Sequence, residues 1–494
     1  MKVLLLNVPD AHVGKTTDDW DLEATDIGVF PPMGILYLAG VLRAGGRHDI
    51  GLVDCILDRL TPDAAARRAA DFDPDVVGLT VYTPTLYDAL ILTRRLRELA
   101  PRAKIVWGGP HTSLFPDESM AQPEVDFLVT GEAEESFPAF LDALEEGRSF
   151  EDIPGIYWRE AGAVRRSGDP GYVKDIESIP FPAYDLLPYK RYFSAIGTGL
   201  PVGTICSSRG CPFHCTFCCK PYSTYRSRSV DNILDEMAVY YERGIREFFF
   251  FDDLFNASAK RVAAISQGIL DRGFRVVWAF RGRVDAVTED MLRLAKKSGC
   301  RQALFGVEDA TDEGLKRINK KITVEQVRRA IKLCRKVGIL TSTNWIIGFP
   351  HHKTQEDILH LIDTAVSIDS DFAQFNIMIA YYGTAIFQEG VDKGLFPADI
   401  WRAHAANPVP NFVEPIWEEH LSRAELSKLL KLCYRRFYFR PLPILRKFLR
   451  VRRASELALF AKGALTLLGI KGYHRKRHKE GESQFAEPAK PQEQ

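Results

Sequence analysis

Three cysteines stand close together at Cys211, Cys215 and Cys218, spaced C-x3-C-x2-C. The spacing puts three thiolates on one tight loop. Iron–sulfur clusters are held by cysteine thiolates, so the loop suits three irons of a [4Fe-4S] cube. The fourth iron would lack a nearby protein ligand and stay open to a small molecule. Zinc is the competing reading. It takes four ligands, usually as paired C-x2-C or C-x2-C with H-x3-H, whereas here His214 lies between the cysteines and no second pair follows. Cys219 breaks the spacing and Cys206 sits on the preceding apolar run, so neither is expected to ligate. Cys55, Cys300, Cys334 and Cys433 are isolated and read as small buried hydrophobes.

Elements must hold this loop in place. Before it, residues 1 to about 145 alternate short apolar runs with helical patterns. Runs beginning at Lys2, Ile50, Val76, Lys104 and Phe127 predict five strands. Gly34–Ala44, Ala64–Ala70 and Leu86–Leu99 predict helices between them. Such alternation implies a parallel sheet covered on both faces, with ligands beyond the carboxyl ends of its strands. Those ends carry small and polar residues: Thr80, Tyr82 and Thr83; Gly108, Gly109 and His111; Gly131 and Glu132. No G-x-G-x-x-G follows the first strand, which argues against a dinucleotide site.

Residues 146–199 read as a connector. It contains a hairpin centred on Ala161-Gly162 and a proline-rich stretch from Pro180 to Pro188. From 200 to 385 the strand–helix alternation resumes. Six βα-type units fit a partial parallel barrel, whose active site belongs at the C-terminal strand ends. The cysteine loop follows the first of those strands. Asp252 and Asp253 end the second, Arg281-Gly-Arg283 follows the third, Glu308 ends the fourth and Gly348 the fifth.

The cysteine motif, with Arg209-Gly210 before it and Phe217 inside it, resembles the radical S-adenosylmethionine (SAM) superfamily. Pro31-Pro-Met-Gly-Ile-Leu-Tyr-Leu-Ala-Gly40, Asp75-Val-Val-Gly-Leu-Thr80, Gly108-Gly-Pro-His111 and Gly131-Glu132 resemble the cobalamin-binding domain that precedes many of its members. The resemblance implies an α/β protein: a doubly wound, Rossmann-like cobalamin domain, a partial (β/α)6 radical SAM barrel, then a small helical C-terminal region. It implies three cofactors, a [4Fe-4S] cluster, SAM and cobalamin. Cys211, Cys215 and Cys218 would bind the cluster. Asp252, Asp253, Arg283, Glu308 and Gly348 would bind SAM, the aspartates as acceptors for its ammonium. Thr80, Tyr82, Thr83, Gly108, Gly109, His111, Gly131 and Glu132 would meet cobalamin, with Tyr82 or a neighbour beneath the cobalt. Many cobalamin domains carry D-x-H-x-x-G after the first strand. Here Asp10-Ala-His12-Val-Gly14 brings the glycine one residue early, so His12 is read as a loop residue.

The function implied is reductive SAM cleavage to a 5′-deoxyadenosyl radical, hydrogen abstraction from an unactivated carbon and methyl transfer to a lipid-like, isoprenoid or natural-product substrate. The alternatives are an oxidative cyclase or ring-rearranging enzyme with the same cofactors, and a cobalamin or cluster sensor. A flavodoxin or ferredoxin would supply electrons.

Formal charge is zero overall, so nothing global suggests nucleic acid. The charge is uneven, however. Residues 434–479 hold 14 Lys and Arg against one acid, a net +13, interleaved with apolar residues. Such a segment suits an anionic membrane surface; the plain alternative is a solvated face of a helical cap over 386–479. Residues 480–494 read as disordered. With no signal-peptide core and no long uncharged apolar run, a cytoplasmic location is expected, with contact at the inner membrane surface if the basic segment binds lipid.

Overall fold

The computed structural model describes residues 1–13, 28–194, 201–220 and 224–440. Its first half contains β1 (Lys2–Asn7), β2 (Gly28–Val29), β3 (Asp49–Asp54), β4 (Val76–Thr80), β5 (Lys104–Gly108), β6 (Phe127–Val129), β7 (Ile156–Glu160) and β8 (Ala163–Ser167). All but β2 share one sheet in the order β3-β1-β4-β5-β6-β7-β8. The first five of these run parallel, and every residue of β1 except those at its ends is buried. That is why these segments read as unbroken apolar runs. The hairpin expected in the connector is present as β7 and β8. It extends this same sheet as two antiparallel strands on β6.

The second half contains β9 (Phe193–Ser194), β10 (Val202–Ile205), β11 (Ser208–Arg209), β12 (Arg226–Ser227), β13 (Glu247–Phe250), β14 (Val277–Gly282), β15 (Cys300–Glu308), β16 (Leu340–Ile347) and β17 (Phe372–Ile377). Six of them form a wholly parallel sheet, β10-β13-β14-β15-β16-β17, each strand beside the next in sequence. This is the partial six-stranded barrel. Phe250, Phe255, Trp278 and Phe280 pack ring against ring on its helix-covered side.

A partial barrel leaves two open strand edges, and unpaired backbone groups there are costly when buried. Tyrosine hydroxyls occupy both. On β10 the Tyr184 hydroxyl accepts from the Thr204 N–H and donates to its carbonyl, each at 2.8 Å. On β17, Tyr434 and Tyr438 project from helix Arg423–Tyr438. They make the same two-way contact with Phe375 (3.1 and 3.0 Å) and Ala373 (3.1 and 2.8 Å).

The C-terminal region is helical as far as it is described, with helices Ala385–Asp392, Ile400–Ala406 and Arg423–Tyr438. Arg402 pairs with Glu118 and Gln122 donates to the Ala406 carbonyl, tying this region to the first domain. Most of the basic segment, the tail 480–494 and the loop from Gly14 onward lie outside the described residues. Among the described residues, no helix is long and apolar enough to cross a membrane.

Candidate active site

The cysteine loop leaves the C-terminal end of β10 through β11, which pairs antiparallel with β12. Its approach is fixed by the two aspartates just beyond β13. Asp252, fully buried, accepts the Ser207 N–H at 2.7 Å and both the Ser207 and Ser208 hydroxyls. Asp253 accepts the Gly210 N–H at 3.0 Å. Within the loop, the Lys220 ammonium donates to the carbonyls of Cys211 and Phe213. Thr216 bonds the Ile318 carbonyl, and Asn319 the His214 carbonyl.

Cys211 and Cys215 are half-buried, Cys218 is exposed, and none is in a disulfide. Their thiols act on one another. Although Cys218 opens to solvent on one side, the packing around the rest of it, and then its neighbours Cys215 and Cys211, push its thiol up to about 11. Burial also raises Cys215, against the pull of Lys320 and Arg283. Three clustered thiols flanked by cations are what three thiolate ligands need once iron replaces their protons. On that chemistry the donor set fits a cluster.

Side chains from the following strands converge on the loop. Arg283 lies over the Phe213 ring at 3.6 Å. Its guanidinium is used internally, by Asp285 at 3.0 Å and by the Lys320 carbonyl at 2.8 Å. Glu308 has φ +77° at the end of β15, where the register with β16 shifts. That turn brings its carboxylate to Lys320 at 2.8 Å. A Cβ on Gly306 would collide with both groups. After β16, the N–H groups of Gly348 and Phe349 donate to His352 Nδ1 at 3.2 and 3.3 Å. His352 Nε2 faces Asp309 at 3.0 Å, and His351 Nε2 faces the same oxygen at 2.6 Å. Phe349 packs on Phe217 inside the loop.

Asp309, His351 and His352 present three ligating atoms within 4.8 Å of one another, beside a cavity of about 350 Å³. With two N–H donors on its Nδ1, His352 must carry its proton on Nε2 and donate to Asp309. A metal would need that lone pair. The group is therefore a brace for the Gly348–Phe349 backbone.

Two expected contacts are redirected. Asp252 was expected to accept the SAM ammonium, but its oxygens are already taken by Ser207 and Ser208, so it anchors the loop. Arg283 was expected at SAM, and its hydrogen-bonding edge is spent on Asp285 and Lys320. Asp253 accepts the Gly210 N–H next to Cys211, Glu308 pairs with Lys320, and Gly348 donates to His352. Lys320 had no signal in the sequence. It follows a short helix, and only the fold brings it to Glu308 and Cys215.

At the first sheet, Thr80 ends β4 and Tyr82 stands just beyond it, 46% exposed, yet walled closely enough for burial to raise its phenol. Thr83 meets His111 Nδ1 at 3.0 Å. His111 is fully buried and held down to about 3 by that burial and then by His404; its Nε2 has no partner among the described residues. Gly108 accepts the Val81 N–H. Gly109, at φ +97°, has its Cβ position filled by the Val81 carbonyl at 2.9 Å. An exposed tyrosine and an orphaned buried imidazole nitrogen at the strand ends fit a polar, many-sided ligand such as cobalamin. His12 is no free loop residue: Asp88 holds its Nδ1 at 2.6 Å.

Gly131 and Glu132, expected at cobalamin, make other contacts: Gly131 packs on the connector, and Glu132 reaches the β11–β12 pair. Gly131, at φ +82°, packs so closely on Gly171 that a Cβ would meet its carbonyl at 2.3 Å. The Glu132 carboxylate receives Arg226 through two bonds of 2.7 Å and the Val173 N–H at 2.7 Å. Arg209, two residues before Cys211, reaches Glu132 at 3.3 Å and pairs with Glu134. This buried group clamps the first domain to the base of the cysteine loop.

Residues 205–365 match the family model for the radical SAM superfamily, and residues 23–141 that for the B12 binding domain. An uncharacterized methyltransferase of Pyrococcus horikoshii is 34% identical over 83% of this chain and 88% of its own length. An anaerobic magnesium-protoporphyrin IX monomethyl ester cyclase of Rubrivivax gelatinosus is 29% identical over 89% of this chain and 77% of its own. Among solved structures, the cobalamin-dependent SAM radical enzyme OxsB, with aqua-cobalamin and SAM bound, superposes with a TM-score of 0.70 at 17% identity. That match covers 94% of this chain and 71% of the other.

Proposed function

The chain belongs to the radical SAM enzymes that carry a B12-binding domain, with a [4Fe-4S] cluster, SAM and cobalamin as cofactors; from that premise we propose that it is a C-methyltransferase acting on an unactivated carbon of a small organic molecule. Bound together, the cofactors supply a 5′-deoxyadenosyl radical and a methyl group. Cys211, Cys215 and Cys218 hold the cluster. Asp253 and Glu308 are the acidic groups for the SAM ammonium and ribose, with Lys320 beside them for its carboxylate. The braced Gly348–Phe349 backbone carries the adenine. Tyr82 stands at the cobalamin face, with Thr80, Thr83, Gly108, Gly109 and His111 shaping the strand ends behind it.

The observation that carries the reading is the clamp. Arg209 and Arg226 fasten the cysteine loop to the strand end of the cobalamin-type domain, so the radical source and the methyl source are held as one unit. Such positioning is most of what a protein adds to cofactor chemistry. The test is anaerobic incubation of reconstituted enzyme with reductant and SAM carrying a deuterated methyl group, against a pool of small metabolites. A product that gains the labelled methyl supports the reading. A product changed without methyl gain supports the cyclase alternative, which the Rubrivivax relative favours. Absence of SAM cleavage by the fully loaded protein sinks both and leaves a sensor.

A flavodoxin- or ferredoxin-type donor fits the one-electron demand. Peripheral membrane contact rests on the +13 charge of residues 434–479. Sedimentation with anionic liposomes, with and without residues 441–479, measures it.

A further inference from the structure

Strand registers sort the barrel residues into an outer face under the helices and an inner face toward the barrel interior. Phe249 pairs with Ala279, and Arg281 with Leu304. The buried residues between them, Phe250, Trp278 and Phe280, face the helices. Arg281 therefore points inward. Its guanidinium rests 5.5 Å from the Phe249 ring and 4.8 Å from the Phe251 ring, and Phe30 from the first domain packs against both rings.

Arg281 differs from the other arginines of the site. Arg209, Arg226, Arg228 and Arg283 each hold a carboxylate. Among the described residues Arg281 holds none, although it is reachable by solvent. The wall around it desolvates the cation enough to lower its pKa. A guanidinium that rests on two aromatic rings, open to solvent and without a carboxylate among the described residues, is suited to a ligand anion. The inner face continues in the same vein toward the strand ends. Gly306 pairs with Asn344, and Asn344 with Gln374. Gln374 and Asn376 are exposed, alternating with buried Ala373 and Phe375. Carboxamides stand on that wall among aliphatic residues, with Leu304 beside Arg281 and Ile346 beside Asn376.

We propose that Arg281 is the anion-recognition residue of the substrate site. The substrate carries a carboxylate or phosphate that Arg281 grips, and an apolar or aromatic body that lies on Phe249, Phe251 and Phe30. This rests on the methyltransferase reading and narrows its substrate class toward anionic molecules. The SAM carboxylate is the competing anion. In the reading proposed above it is served by Lys320, which stands beside Glu308 at 2.8 Å. Cobalamin's phosphate is the third source.

The test uses holoenzyme loaded with cluster and cobalamin, titrated with phenylacetate and with its neutral counterpart phenylacetamide. Wild type should bind the anion at least about tenfold more tightly, as a charged hydrogen bond warrants. Arg281→Gln should erase that preference and Arg281→Lys should restore part of it. SAM affinity and cobalamin content should match wild type in both variants. Equal binding of the two probes, or an unchanged preference in Arg281→Gln, overturns the proposal. So does a tenfold loss of SAM affinity or a loss of cobalamin in Arg281→Gln, which would assign the guanidinium to those groups. Wild-type SAM cleavage is read separately. If it fails while the anion preference holds and depends on Arg281, the methyltransferase reading falls and the anion site stands.

Discussion

At Cys218 a thiol sits beside two others on a loop whose backbone is bonded from outside by Asp253, Asn319 and the Ile318 carbonyl, and from within by Lys220. The loop is thus held by groups other than its ligands. Replacing Cys211, Cys215 or Cys218 by Ala should remove the visible iron–sulfur absorbance of reconstituted protein while the chain stays folded by circular dichroism. Cluster retained in all three variants would refute the ligand assignment. His111 and His404 behave differently. Burial holds His111 to about 3, with His404 adding to the effect, and holds His404 to about 4, against an ordinary 6.5. Their unfolded forms bind protons that the native forms refuse. Stability from both is full above about pH 6.5 and is lost as pH falls toward the native values, by about 1.4 kcal/mol per unit for each histidine. Denaturant unfolding of the protein at about pH 7 and about pH 5 should show that slope. His404→Gln should flatten it; an unchanged slope would show that other groups control acid lability.

The elements carry a second kind of information. Strand positions were readable because buried parallel strands are continuous apolar runs: the predicted helix Leu86–Leu99 is the observed one, and β1 coincides with its predicted run. The cysteine loop was readable because its ligands are local. Tyr184, Tyr434 and Tyr438 were not. Each acts on a backbone far away in sequence, and nothing in the residues around them tells an edge cap from a core aromatic. The same holds for Glu132, whose partners come from the connector and the second domain. The edge caps can be tested directly. Tyr184→Phe and Tyr438→Phe keep the ring and delete the hydroxyl, leaving a buried N–H and C=O unpaired. Each should cost about 1–3 kcal/mol of unfolding free energy, measured by denaturant titration. A loss below about 0.5 kcal/mol would place water, or no penalty, at that edge.

Across the whole molecule, the chain just beyond β6 meets the β11–β12 pair through charge. Arg226 and Glu132 are each 9% exposed. Arg226 also lies over the Tyr172 ring at 4.1 Å, and Arg209 joins the same carboxylate. Paired, these charges offset one another's desolvation; breaking a buried pair by removing one partner typically costs about 3–5 kcal/mol. Arg226→Met should therefore lower stability by about that amount, and Glu132→Gln by a similar one. The double variant should lose less than the sum, because no lone charge remains from the pair. Arg209 still faces Glu134 in all three. A structural role alone would stop there. If the clamp also holds the radical source to the methyl source, Arg226→Met should cleave SAM at the wild-type rate, below its unfolding temperature, while yielding less methylated product per 5′-deoxyadenosine formed. Equal loss of both products would reduce the clamp to a fold-stabilising contact, and additive single-variant losses would show that Arg226 and Glu132 do not act as a pair.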